Sequence, residues 1–214
     1  CNIEFNNKKL NIIDCPGSDD FCGGAITALH VADTAIITLT ANGGVEVGTQ
    51  NNFRRAEKAK KPIAFVINKC DHESADFERT FNELKEVFGN KCTLFQYPIN
   101  AGKDFNAAID VLQGKMLVWK AEGGAPEAKD IPESEKATVE EIRAQLLEWA
   151  AESDETIMDK YFEQGTLSDD ELMQGLKTVF AEGSMYPVIC TSGLRDMGIR
   201  RLMGFLGEMT PSVA

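Results

Sequence analysis

A chain of 214 residues that is 43% hydrophobic and 26% charged has the make-up of a folded globular protein, which excludes a disordered or fibrous one. No apolar run is long enough to span a bilayer and no signal-peptide pattern opens the chain, so no membrane partner is expected; the six scattered cysteines suit a reducing, cytoplasmic compartment. The formal net charge is −12; residues 122–182 hold 17 acidic against 5 basic side chains while the remainder carries 17 of each, so this acidic segment is excluded from lying on nucleic acid and suits a basic protein partner or a solvated face.

In chain order, strands are expected at 2–5, 10–13, 35–40 and 63–67, with helices at about 22–31, 49–60 and 75–88. Phe77, Phe81, Leu84 and Phe88 mark one face of the third helix, and Gly89 suits its end. This strand–helix alternation implies a mostly parallel sheet covered by helices. Three strands follow at 92–99, 106–112 and 115–120, the last two joined by a tight turn at Gln113-Gly114. Residues 123–133 read as a loop. Thr138-Val139-Glu140-Glu141 has the form of a capping box opening a helix with Val139, Ile142, Leu146 and Trp149 on one face. Further helices are expected near 154–163 and after Ser168, then a buried strand at 186–190 and a last helix at about 198–209, stopped by Pro211. A chain that opens inside a strand pattern, without an initiator methionine, is expected to be a piece of a longer protein.

Cys1, Cys15, Cys22, Cys70, Cys92 and Cys190 lack the close spacing of a zinc or redox motif and read as free thiols. His30 and His72 stand outside any ligand spacing. Trp119 and Trp149 read as core or interface residues.

Three motifs carry chemistry, each after an apolar strand. In LNIIDCPG, Asp14 is placed to hold Mg²⁺ through water, and the backbone N–H of Gly17 can approach a terminal phosphate. By itself this pattern also fits a strand followed by a Pro-Gly turn. In PIAFVINKCD, the Asp71 carboxylate can accept both the N1 and N2 donors of guanine, which adenine cannot supply together. Asn68 can bond the base and brace the neighbouring loop, and the Lys69 stem can cover the base or ribose. In YPVICTSGL, the amides of Ser192 and Gly193 could meet guanine O6, although Ser-Gly alone is a common turn.

The order Asp-x-x-Gly, Asn-Lys-x-Asp, Ser-Gly, each after a strand, resembles the guanine-nucleotide-binding fold, and the finer resemblance is to elongation factor G. IDCPGSDDF is similar to that family's I-D-T-P-G-H-V-D-F, GGVEVGTQNNFRRAEKAKKP to its G-V-E-P-Q-S-E-T-V-W-R-Q-A segment, and MLVWKAEGG…DIPESEK to its inserted subdomain. The resemblance implies an α/β, P-loop-NTPase-type sheet at 1–93 and 186–214 and an inserted α+β subdomain at 94–185. It implies GTP or GDP with Mg²⁺, ribosomal translocation, and a ribosome partner whose stalk protein docks on the acidic subdomain. The family's Gly-x-x-x-x-Gly-Lys-Ser/Thr loop has no counterpart in the sequence and would precede Cys1 together with the first strand, so the chain alone is expected to be inactive. Ser18 stands where the family has its catalytic histidine, which puts hydrolysis in doubt. The rival readings are a ribosomal-protection or release-type factor and a non-hydrolysing interaction module. Without the first strand, the strands at 10–13 and 35–40 are expected to close on each other, to have the gap filled by this chain, or to take a strand from a second copy.

Overall fold

The computed structural model describes residues 1–211. The chain opens as a hairpin, β1 (Asn2–Phe5) against β2 (Lys8–Asn11). Its two-residue turn, Asn6-Asn7, has φ of 49° and 58°, the left-handed pair that matches the twist of a tight hairpin and that asparagine tolerates. The second strand sits earlier than 10–13, and Ile12 and Ile13 emerge partly into solvent.

α1 (Cys22–Val31), β3 (Ala35–Thr40), α2 (Val47–Lys58), β4 (Ile63–Asn68), α3 (Phe77–Phe88) and β5 (Cys92–Leu94) follow. With β10 (Tyr186–Cys190) the strands form the expected parallel sheet, in the order β3-β4-β10-β5. Every residue of β10, and all of β4 before Asn68, is buried, as strands covered on both faces require. Phe53 of α2 packs on Phe65 and Tyr186 and Phe88 of α3 on Phe65, with Phe53 and Phe88 4.3 Å apart between centroids. Phe205 of α7 (Ile199–Met209) packs against Phe95 and Phe180 at 5.8 and 5.7 Å.

The predicted strand at 92–99 is two strands that serve different sheets. β5 pairs with β10, whereas β6 (Gln96–Pro98) opens an antiparallel sheet with β7 (Ala107–Asp110), β8 (Lys115–Val118) and β9 (Glu127–Lys129). Phe95, between them, donates its N–H to Val188 O at 3.0 Å and accepts from Val111 N at 3.0 Å, so one residue joins both ladders. The β7–β8 connection holds four residues rather than two; Gly114 supplies a φ of 61° and Gln113 N donates to Asp110 Oδ1 at 2.9 Å. β9 lies inside the predicted loop at 123–133. Its three residues are all exposed, so no alternation marked it.

Three helices cover this part: α4 (Glu133–Glu152), α5 (Glu155–Gln164) and α6 (Asp169–Ala181). α4 starts five residues before Thr138, because Pro132 fixes φ at −56° and Glu133 and Glu135 place negative charge on the first turn. The capping-box sequence at Thr138 therefore lies inside a helix. The predicted face survives, with Val139 and Leu146 buried and Ile142 and Trp149 half-buried. The box at Ser168 is used as expected. α4 and α6 approach closely at Gly175, where a Cβ would stand 2.6 Å from Ala150 O.

Two of the three outcomes expected for the sheet edge do not occur within this chain. β2 pairs with β1, β3 pairs with β4, and among the described residues no strand joins β2 to β3. The hairpin instead lies against α7, where Phe5 meets Gly204 and Lys8 Nζ donates to Gly207 O. No helix among the described residues is long and apolar enough to cross a membrane.

Candidate functional site

The ends of β4 and β10 are interlocked. Asn68 closes β4, and its backbone oxygen accepts from Ala41 N at 2.8 Å. Its side-chain Oδ1 accepts from Gly193 N at 2.9 Å and from Thr191 Oγ1 at 3.2 Å. Lys69 turns the chain with a φ of 59°, a left-handed conformation that a non-glycine residue adopts only where the surroundings enforce it. Cys70 supplies that enforcement. It is buried, its N–H donates to Thr191 O at 3.1 Å, and its thiol donates to Ile67 O at 3.3 Å. Lys69 is left exposed and Asp71 follows with a side chain only 10% exposed.

The loop after β10 is equally fixed. Ser192 and Met197 exchange backbone hydrogen bonds of 2.9 and 3.0 Å, and Ser192 Oγ accepts from Arg195 N at 3.2 Å. This changes which amides can reach a base. The N–H groups of Ser192 and Gly193, expected to meet guanine O6, are both engaged within the protein, to Met197 O and Asn68 Oδ1. The next amide, that of Leu194, takes no hydrogen bond among the described residues, and the Leu194 side chain is 92% exposed. Arg195, which the sequence did not single out, sets its Nε 3.5 Å from Asp71 Oδ2. The two lie 124 positions apart, and no local pattern announces the pairing.

The first motif is built otherwise. β2 ends at Asn11, so Asp14 lies in a loop rather than at a strand end. Asp14, Gly17 and Ser18 are all exposed. The Ser18 carbonyl accepts from Phe21 N at 3.1 Å, and Gly17 O lies beside Gly48 at the start of α2. Among the described residues, no hydrogen bond or ion pair joins these residues to the loops after β4 and β10.

Nor, among the described residues, does any cluster of three His, Cys, Asp or Glu gather for a metal. A Mg²⁺ of a phosphate site is commonly held by one or two carboxylates together with the phosphates themselves. The lone Asp14 carboxylate fits that donor set, and not a cage that binds the ion unaided. His30 and His72 are exposed and unclustered. Cys70, Cys92 and Cys190 are buried free thiols. Burial pushes Cys92 up to about 12 and Cys190 well above its ordinary value, so both stay protonated and behave as small apolar groups.

Comparison with known proteins places this geometry. The model of the elongation factor Tu GTP binding domain matches residues 1–212. An elongation factor G-like protein from Thermotoga maritima is 33% identical over 207 residues, which is 97% of this chain and 29% of that protein. A crystal structure of a protein from Thermus thermophilus superposes with a TM-score of 0.89 at 28% identity, over 99% of this chain and 31% of that one. The chain thus spans less than a third of the length of either relative. With the family model running through both sheets and the loops after β4 and β10, the chain belongs to the elongation factor Tu GTP-binding domain family.

Proposed function

We propose that this chain is the guanine-reading part of an elongation factor G-type translation factor acting in ribosomal translocation. One observation carries the reading: Asn68 Oδ1 ties the Asn-Lys-x-Asp loop to the 192–197 loop through Gly193 N and Thr191 Oγ1, with Asp71 held beside them. Asp71 accepts guanine N1–H and N2–H, and the free Leu194 amide donates to O6. Lys69 covers the base with its stem. The parts of the chain divide as residues 1–93 and 186–214 for the nucleotide and 94–185 as the inserted subdomain.

Asp14 serves Mg²⁺ through water and Gly17 the γ-phosphate. The ion offsets phosphate charge when it arrives with the nucleotide. Ser18, at the position of the family's histidine, lacks an imidazole to orient water, so hydrolysis is slow while binding still shifts conformation. The acidic α4–α6 region docks the basic-faced ribosomal stalk protein. The setting is the cytoplasm.

The test is base selectivity in the full-length protein that contains this chain. GDP should outcompete ADP, and Asp71→Asn should weaken GDP by about 10²-fold or more while improving xanthosine diphosphate, whose 2-oxo group suits an amide donor. ADP competing as well as GDP, or Asp71→Asn leaving GDP affinity intact, would overturn the reading.

A further inference from the structure

The second sheet reaches across and grips both base-directed loops. From the loop at 100–105, Gly102 N donates to Cys70 O at 2.8 Å and Lys103 O accepts from Arg195 Nη1 at 2.9 Å. That loop is itself anchored by Phe105, fully buried with its ring 6.1 Å from that of Trp119. From the turn after β8, Gly124 N donates to Asp196 O at 3.0 Å. Gly123 packs so tightly that a Cβ on it would stand 1.7 Å from Arg195 O, and its φ of 74° also excludes most side chains.

Arg195 is the meeting point of these contacts. Its N–H is held by Ser192 Oγ, one guanidinium nitrogen by Lys103 O, and its carbonyl lies where only a glycine at 123 leaves room for it. The remaining Nε faces Asp71 Oδ2 at 3.5 Å. Asp71 Oδ1 takes no hydrogen bond among the described residues, and Oδ2 meets Arg195 Nε only at ion-pair distance, so both oxygens keep a lone pair for a ligand's donors. A carboxylate that must present two oxygens to two donors on one purine edge gains from being fixed in one rotamer beforehand. A pair at this partial exposure adds little to stability, and its consequence is orientation.

We infer that Arg195 and Gly123 are positioning residues for base recognition, through which the second sheet sets Asp71 and the 192–197 loop in the geometry that selects a 2-amino-6-oxopurine. This rests on the reading of Asp71 as the guanine acceptor. It also makes the inserted region a lever on base affinity, because movement of its 100–105 and 119–124 loops would be felt at Asp71.

The experiment measures equilibrium binding of GDP and of inosine diphosphate, which lacks the 2-amino group, to the full-length protein, alongside thermal melting. Arg195→Ala should cut the preference for GDP over inosine diphosphate about tenfold with the melting temperature unchanged, and Arg195→Lys should restore part of it. Gly123→Ala should show the same loss of preference together with a general loss of affinity, because the loop itself must shift. An unchanged preference in Arg195→Ala, or a parallel fall for both nucleotides, would overturn the inference. Asp71→Asn separates the two levels. If it abolishes the preference while Arg195→Ala leaves it, the positioning role alone falls; if it too leaves the preference untouched, the guanine reading falls with it.

Discussion

The two stretches expected to meet a nucleotide are built very differently. Around Asn68 and Asp71, fully buried Cys70 and Ser192 lie under the loops, and hydrogen bonds run from both sheets into the two turns. Around Asp14 and Ser18 the backbone is exposed, and α1, although almost entirely apolar and small in composition, buries no residue fully. A base edge needs donors and acceptors fixed to fractions of an ångström, which a packed scaffold supplies in advance. The Asp14–Val31 segment has a thinner support, with Leu29 of α1 against the core and α1 beside α2. Ile12, Ile13, Phe21 and Ile26 are left exposed along this stretch.

The sharpest way to break this contrast is through the core that unites the two sheets. Asp110 of β7 is fully buried and paired with Arg201 of α7, which also reaches Glu208 at 3.4 Å. Removing one member of such a pair leaves a poorly solvated charge, so Asp110→Ala should cost about 3–5 kcal/mol in chemical denaturation. Asp14→Ala, on the exposed side, should shift stability by less than about 0.5 kcal/mol. Comparable losses from the two substitutions would mean that the exposed segment is as integral as the core.

The second prediction concerns the exposed motif directly. In the full-length protein with ribosomes, Ser18→His should raise GTP turnover about 10²-fold, the scale of a group that positions the attacking water. Steady-state phosphate release checks it. Equal turnover before and after the change would show that another residue does this work.

How far the sequence foretold each region follows the same divide. β4 and β10 were legible because continuous apolar runs ending in polar motifs have one physical reading, a strand buried on both faces. Asn68 as a brace was legible too, from its place in Asn-Lys-x-Asp at the end of a buried strand, and its Oδ1 meets Gly193 N and Thr191 Oγ1. The hidden features depend on partners distant in sequence. Nothing local to Arg195 names Asp71 or Lys103, and nothing in the run from Cys92 shows that Phe95 passes from one ladder to another. β9 carries no apolar alternation because it is a short, charged edge, a form that discourages further pairing. The start of α4 was misplaced because Pro132 and the first-turn carboxylates outweighed a downstream Thr-Val-Glu-Glu pattern.

A smaller effect is expected on the acidic helices. Glu140, Glu141 and Glu148 of α4 are exposed. Reversing all three charges should weaken stalk-protein binding to the full-length factor several-fold, and more at low salt than at high, because screening acts beyond about 10 Å. Surface-plasmon measurements at two ionic strengths check both parts. Unaltered affinity would make the acidity of this face a matter of solvation alone.

The smallest effect is confined to acid. Lys160 donates to Glu171, and Ser168 adds its hydroxyl at 2.7 Å and its backbone N–H at 3.0 Å, closing the cap of α6. These contacts lower the Glu171 carboxyl from its ordinary 4.5 to about 2, with the Lys160 hydrogen bond the largest cause. A depressed carboxyl stabilises the fold above its unfolded pKa, and that contribution fades as pH falls from 4.5 towards 2. Because the side chain is partly open to solvent, water screens part of the gain. Glu171→Gln removes the charge but keeps a side-chain acceptor for the cap, so its melting temperature should lie slightly below that of the unchanged chain at neutral pH. The two should converge on acidification through this window, while Asp154, whose own cap to Thr156 and Ile157 depresses its carboxyl, titrates equally in both. A gap that stays constant down to pH 2 would assign the difference to packing rather than to the charge on Glu171.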